Sequence, residues 1–245
     1  MNRYKITIEY DGTNFYGWQK QQNLQTIQGE IEIALEKIFQ KNIKIFGSGR
    51  TDAGVHALGQ IAHFDVETKM IQEQISYAIN HFLQHKPISI INCTQVATDF
   101  HSRFSAKMRH YKYQIINRKA KLAINNKQFW HIPNDLKIEK MQQAAEFLIG
   151  KHDFSSFRDA SCQGNNPVKT MANLKIKKSG EIIEINASAT SFLHHMVRNI
   201  VGTLILVGRE KIEPEEMQKI LALKQRTKSG PNAPPHGLFF IGVDY

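Results

Sequence analysis

Apolar and polar positions alternate from the first residues of the chain. Tyr4, Ile6, Ile8 and Tyr10 share one face of residues 3–10, which predicts a half-buried strand. From Thr26, a good N-cap, apolar residues recur at helical spacing: Ile27, Ile31, Ala34, Leu35, Ile38 and Phe39. A short strand follows at 43–46, then a glycine-rich loop over 47–57 and a strand at 59–66. A second amphipathic helix carries Ile75, Ala78, Ile79, Phe82 and Leu83, stops near Pro87, and leads into a strand at 88–97. The first half therefore reads β-α-β-β-α-β.

The second half repeats that order. A strand at 109–117 precedes a helix over 136–149, with Asn134 or Asp135 as cap and Gly150 as its stop. Strands at 171–178 and 181–188 flank a Ser179-Gly180 turn. A long helix is expected over 192–207, a shorter one from Pro214, and a last strand at 238–244. The basic, proline-rich segment 224–236 reads as a mobile rim or as an ordinary connection. The fold class expected is α+β, built from two pseudo-repeated ferredoxin-like β-α-β-β-α-β halves with mainly antiparallel sheets. The halves are placed at 1–105 and 106–245, with 98–108 as the crossover and an active-site cleft between them.

Composition narrows the class. The chain has 245 residues, 41% of them hydrophobic and 22% charged, a globular balance with enough length for a large core. Its longest apolar run, 200–208, is too short for a bilayer, which takes ~20 residues. The opening residues show no continuous apolar segment of a secretory signal, so a soluble cytoplasmic protein without membrane partners is expected. Cys93 and Cys162 are too few for a disulfide framework and read as inert. Lys and Arg exceed Asp and Glu by 32 to 22, a formal +10 that favours polyanions such as nucleic acid. Residues 100–134 contain no acid, yet Arg103, Lys107, Arg109 and Lys112 alternate there with Phe100, Phe104, Tyr111 and Tyr113. Cations track a phosphate backbone and rings stack bases, so this window reads as an RNA surface.

Three groups carry candidate chemistry. In Gly47-Ser48-Gly49-Arg50-Thr51-Asp52-Ala53-Gly54, a cation and a carboxylate sit two apart in a loop held at both ends by strands. Arg50 would keep Asp52 ionised and aimed, which suits a nucleophile; the same pattern fits a hairpin with a surface ion pair. No Lys-Ser/Thr pair follows the glycines, so this is no phosphate loop. In 109–113, Tyr111 shares a strand face with Arg109, offering a ring and a phenol to a base, or serving as a structural tyrosine. On the 192–207 helix, Arg198 points away from the apolar stripe with His194 and His195 on its flanks. A buried guanidinium there needs an anion, while an exposed one would snorkel. No metal site is expected: His81 and His85 lack the Glu of H-E-x-x-H, and adjacent helical histidines diverge by about 100°.

GRTDAGVHA at 49–57, FYGWQ at 15–19, FHSRFSAKMRHYKY at 100–113 and FLHHMVRNIVG at 192–202 together resemble the tRNA pseudouridine synthase A family, along essentially the whole chain. The resemblance implies the pseudouridine synthase fold and isomerisation of uridine to pseudouridine at positions 38, 39 and 40 of the tRNA anticodon stem-loop. It also implies no cofactor or metal, and a homodimer holding each tRNA across both subunits. By the same resemblance Asp52 is the catalytic aspartate and Arg50 its partner. Tyr111 packs on the target base, Arg198 is the active-site helix arginine, and Leu238 lines the uracil pocket. Lys169 stands where relatives commonly carry Arg, which removes a bidentate fork from that position. The chemistry agrees: a C1′–N1 bond breaks and a C1′–C5 bond forms with no net redox change. Attack at C1′, attack at C6 and a glycal route all remain open. The alternative is a non-catalytic RNA-binding protein, which lacks an RNP1-like run to support it.

Overall fold

The computed structural model describes residues 1–159 and 166–245, and Cys162 lies outside them. The chain forms two compact units: residues 1–107 with 239–245, and residues 108–238.

In the first unit, β1 (Asn2–Tyr10), α1 (Ile27–Phe39), β2 (Phe46–Gly47), β3 (His56–Val66), α2 (Gln72–Leu83) and β4 (Ile88–Val96) follow the expected order. β1 pairs antiparallel with both β3 and β4, and β2 with β3. The alternation of β1 survives intact, with Tyr4, Ile6, Ile8 and Tyr10 all buried. α1 buries Ile27, Ile31, Ala34 and Leu35, and α2 buries Ile75, Ile79 and Leu83. Thr26 caps α1 as predicted, its side chain accepting from the Gly29 N–H. The strand expected at 43–46 shrinks to Phe46–Gly47, because Glu32 on α1 takes the Ile45 N–H at 3.2 Å. Asn80 of α2 stitches the edge strand β4, donating to the Ile90 carbonyl and accepting its N–H just where the β1–β4 register shifts.

The second unit holds β5 (Met108–Asn117), β6 (Trp130–Ile132), α3 (Ile138–Glu146), β7 (Gly150–Asp153), β8 (Val168–Ser179), β9 (Ile182–Ala189), α4 (Met196–Gly208) and α5 (Glu216–Leu223). Its sheet runs β5-β9-β8-β7 in antiparallel pairs, with β6 parallel to β5. Gly180 turns the β8–β9 hairpin at φ +58, where a side chain would be strained. α3 is shorter than expected and begins after Lys137, which has no side-chain cap. The Lys137 N–H is taken by the Gly208 carbonyl of α4 instead. Gly150 adopts φ +105 and opens β7 rather than ending α3, whose last turn is tightened by Leu148 and Ile149 bonding three residues back.

The long helix differs further from expectation. The long helix starts at Met196, not at 192, because His195 sits at φ +61 and so interrupts the helical path. His194 and His195 thus precede α4, and their rings lie 3.9 Å apart between centroids rather than diverging along a helix. Of the two readings of 224–236, the hydrogen bonds favour a tied connection. Arg226 donates to Ser229 Oγ, to the Gly230 carbonyl and to Asn199 Oδ1, while the Gly230 N–H bonds Thr203 Oγ1.

The last strand, β10 (Leu238–Asp244), returns to the first unit. Phe239 and Phe240 pair parallel with His56 and Ala57 of β3. Gly59 admits this approach, since a Cβ there would stand 2.4 Å from the Ile241 carbonyl.

Candidate active site

The glycine-rich loop is clamped from several sides. Its entry is fixed by Gln60, fully buried on β3, which accepts from Ser48 Oγ at 2.6 Å and donates to the Gly49 carbonyl at 3.0 Å. Its centre is fixed by Thr51, whose hydroxyl meets the buried Tyr10 hydroxyl at 2.7 Å and whose carbonyl accepts the Trp18 N–H. Burial pushes the Tyr10 phenol above the ordinary tyrosine range, and the charge of Asp52 adds to that rise. The phenol therefore stays neutral and acts as a hydrogen-bonding anchor.

The 15–19 segment explains itself as the wall of this loop. Gly17, at φ +83, brings backbone against backbone: a Cβ there would lie 2.5 Å from the Thr51 carbonyl. Gly12 does the same at the loop's exit, 2.0 Å from the Val55 carbonyl. Trp18 is buried under Gly47, where a Cβ would strike the indole at 2.6 Å. The Gly54 N–H reaches the Phe15 carbonyl, and the Val55 N–H the Asp52 carbonyl, closing a turn around the aspartate. Asp52 itself is partly exposed between the buried residues Thr51 and Val55, and Arg50 is exposed beside it. The turn thus holds its backbone rigidly while presenting one carboxylate. His56 anchors the exit, accepting the Gly12 N–H at Nδ1 and stacking on Phe239 at 4.8 Å.

In the second unit, β5 places Arg109, Tyr111 and Tyr113 on one face and His110 and Lys112 on the other. Tyr111 is partly exposed, with its ring edge-on to Phe192 at 5.0 Å. Tyr113 is fully buried and donates to the Pro234 carbonyl at 2.7 Å; burial drives its phenol upward against the opposing influence of Arg198. Arg198, on α4, donates from Nε to the Ala233 carbonyl at 2.8 Å, so one partner of this guanidinium is a backbone dipole. Leu238 is buried one residue after Gly237, whose Cα lies against the Tyr113 ring. Tyr113 thus relates Arg198 and the 233–238 segment to the strand that carries Tyr111. At the foot of α4, His195 Nδ1 stands 2.7 Å from Asp159 Oδ2.

The basic window divides. Arg103 and Lys107 are exposed in the first unit; in the second, Arg109 donates to the Thr190 carbonyl, and Lys112 pairs with Glu184 at 3.2 Å on the opposite strand face. Lys169 lies on β8 opposite His152 of β7. Cys93 is buried, and burial pushes its thiol up to about 12, which makes it inert as expected. Among the described residues no helix is long and apolar enough to cross a membrane. The sequence placed Tyr10 only on the buried face of a strand and His56 only within the 49–57 motif, and it gave Gln60 no part. The signal for Gln60 and His56 was present, as polar residues in a strand that is otherwise largely apolar.

The sequence pattern of a family described as tRNA pseudouridine synthase matches residues 6–105 and 144–245. The tRNA pseudouridine synthase A of Ehrlichia chaffeensis (strain ATCC CRL-10679 / Arkansas) is 50% identical over 244 residues, covering 99% of this chain and 100% of the relative. The tRNA pseudouridine synthase A of Ehrlichia canis (strain Jake) is 49% identical over the same span. Tyr111 falls in the stretch that the family pattern leaves unmatched and these full-length relatives span. A crystal structure of a Cbf5-Nop10-Gar1 complex covers 82% of this chain and 53% of its own at 8% identity, and its TM-score of 0.33 carries no argument.

Proposed function

The chain belongs to the tRNA pseudouridine synthase family, a family of isomerases, and from that membership we propose that it converts uridine to pseudouridine at positions 38, 39 and 40 of the tRNA anticodon stem-loop, with Asp52 as nucleophile. The observation that carries the role of Asp52 is the loop's construction. Backbone contacts that glycine alone permits, and buried partners at Tyr10 and Gln60, hold the turn whose projecting carboxylate is Asp52. A preorganised carboxylate of this kind suits attack on a sugar or a base better than a hairpin ornament.

The reaction balances within the nucleoside. The C1′–N1 bond breaks, the uracil turns, the C1′–C5 bond forms, and the proton lost from C5 is matched by one gained at N1. No oxidant, reductant or leaving group enters, so the reaction calls for no cofactor. The target must leave its stack, which costs a few kcal/mol and is easiest beside a loop. Tyr111 supplies a partly exposed ring for the extruded base, Leu238 an apolar wall, and Arg198 a cation for the phosphate or the vacated position. Arg50, exposed two residues before Asp52, is its cationic partner. Arg103, Lys107, Arg109 and Lys112 bind RNA, and the protein works as a homodimer in the cytoplasm.

The test is incubation with unmodified tRNA transcript and no added cofactor, followed by carbodiimide mapping of pseudouridine. Wild type is expected to turn over many times and mark positions 38–40. Asp52→Asn is expected to lose more than about 10⁴-fold in rate while still binding tRNA. A mutant that modifies tRNA at the wild-type rate overturns the assignment of the nucleophile. Stoichiometric binding without turnover by the wild type would instead make this a binding protein.

A further inference from the structure

The loop 100–105 presents an aromatic group that the fold does not use. Phe104 is 76% exposed, although it sits on a loop whose backbone is fixed at nearly every residue. The His101 N–H donates to Ser105 Oγ and the Ser105 N–H to the His101 carbonyl, both at 2.9 Å. His101 Nδ1 accepts the N–H groups of Arg103 and Phe104, which places its proton on Nε2 and leaves the ring neutral. Ser102 is buried; its hydroxyl bonds the Phe46 carbonyl, and its own carbonyl accepts from Tyr245. Arg3 reaches across to the Phe100 carbonyl at 2.8 Å. A floppy tip could expose a ring by accident; a tied one exposes it by construction.

The rings around it are ordered. Phe104 lies 4.4 Å from His101 between centroids, at 39°. His101 meets His63 edge-on at 4.7 Å and Phe46 at 6.0 Å. Phe46, itself 50% exposed, stacks on the buried His63 at 5.2 Å. The Arg103 guanidinium stands 5.6 Å from the Phe104 centroid, within cation–π range. Two large exposed rings, Phe46 and Phe104, flank His101, and grouped apolar exposure of this kind is what binding surfaces use. This patch lies in a window of 35 residues without an acid, between Asp99 and Asp135. Apolar partners from protein would gain nothing from that bias, whereas a polyanion with π-faces matches both features.

We propose that Phe104, backed by His101 and Phe46, is a stacking platform for an unpaired nucleobase of the tRNA, with Arg103 set for the adjoining phosphate. The proposal rests on the tRNA reading above and adds a second base-gripping point, carried wholly by the first unit. Its contribution is to hold and register the RNA, so its loss falls on binding.

The full chain is tested as wild type, Phe104→Ala, Phe104→Leu, Phe104→Tyr and Arg103→Ala, with Tyr77→Ala as a control for an exposed ring elsewhere on the first unit, 74% exposed on α2. Binding of unmodified tRNA is measured across a salt series, together with KM and kcat, and thermal melting confirms folding. Phe104→Ala and Phe104→Leu are expected to weaken binding and raise KM by about 5- to 100-fold without changing the salt slope, while Phe104→Tyr stays close to wild type. Arg103→Ala should shallow the slope by about one unit. Tyr77→Ala should bind as wild type does. The platform is overturned if Phe104→Ala binds tRNA as tightly as wild type. It is equally overturned if Phe104→Leu retains full affinity, or if Phe104→Ala changes only the self-association seen by sedimentation. Absence of pseudouridine with the wild type would defeat the catalytic reading alone, since the affinity comparison still judges the platform.

Discussion

Single residues decide how the aspartate loop is held. Gln60 is a polar side chain with no exposure, on a strand where an aliphatic residue would pack. It stays because Ser48 Oγ, the Gly49 carbonyl and the Ile61 N–H each need a partner there. Gln60→Leu keeps the volume and strands those groups, which costs about 1–3 kcal/mol in urea unfolding. Its catalytic effect is expected in kcat rather than KM, because the loop is displaced while the RNA surface is not. Equal losses in kcat and tRNA affinity would count against this positioning role. Histidine 63 gives a residue-scale pH effect. Burial, with His101 and Arg3 nearby, lowers its pKa from 6.5 to about 4, opposed by Asp65. The unfolded chain then binds a proton in that window that the folded chain refuses. Stability therefore falls as pH drops from 6.5 towards 4 and loses nothing more from this group below that range. Urea denaturation of wild type and His63→Gln at pH 7 and pH 4.5 checks it: the variant should lose less on acidification.

At the scale of elements, α4 and the 224–236 segment behave as one part. Gly202 lies so close to that segment that a Cβ would sit 1.7 Å from the Pro231 carbonyl, and a Cβ at Gly230 would sit 2.8 Å from the Thr203 Cα. The Ala233 N–H and carbonyl then bond the Arg198 carbonyl and Nε, so the segment aims the arginine. Gly202→Ala is expected to force the two apart, destabilising the protein by about 1–3 kcal/mol. Modification activity should fall further than Arg198→Lys lowers it, as initial rates on tRNA will show. The elements themselves were legible where one periodicity dominated: β1, α1, α2 and the β8–β9 hairpin stand where alternation or helical spacing put them. α4 was misread at its start because Phe192, Leu193 and Met196 continue the apolar spacing. The left-handed His195 and its bond to Asp159, 36 residues away, interrupt the helix, and neither is visible in a local pattern.

Across the whole molecule, charge and connectivity matter most. A formal +10 predicts that tRNA affinity falls steeply and linearly on logarithmic axes as salt rises. An affinity unchanged between low and moderate salt would remove the basic window as the RNA surface. The destination of the final strand was not legible. Residues 238–244 read as a strand in any context, but pairing with β3 is decided by Gly59, by the stacking of Phe239 on His56 and by the register Phe239–His56. By itself the sequence determined what depends on neighbours in the chain: amphipathic periods, turn glycines, the loop bearing Asp52 and the acid-free window. It also carried the family, whose motifs are short and contiguous. Only the tertiary structure decided which backbone groups clamp that loop and what covers α4. It alone showed which rings stay in water. Those outcomes rest on contacts between residues tens of positions apart, where chain order carries no distance information and packing alone selects the partner.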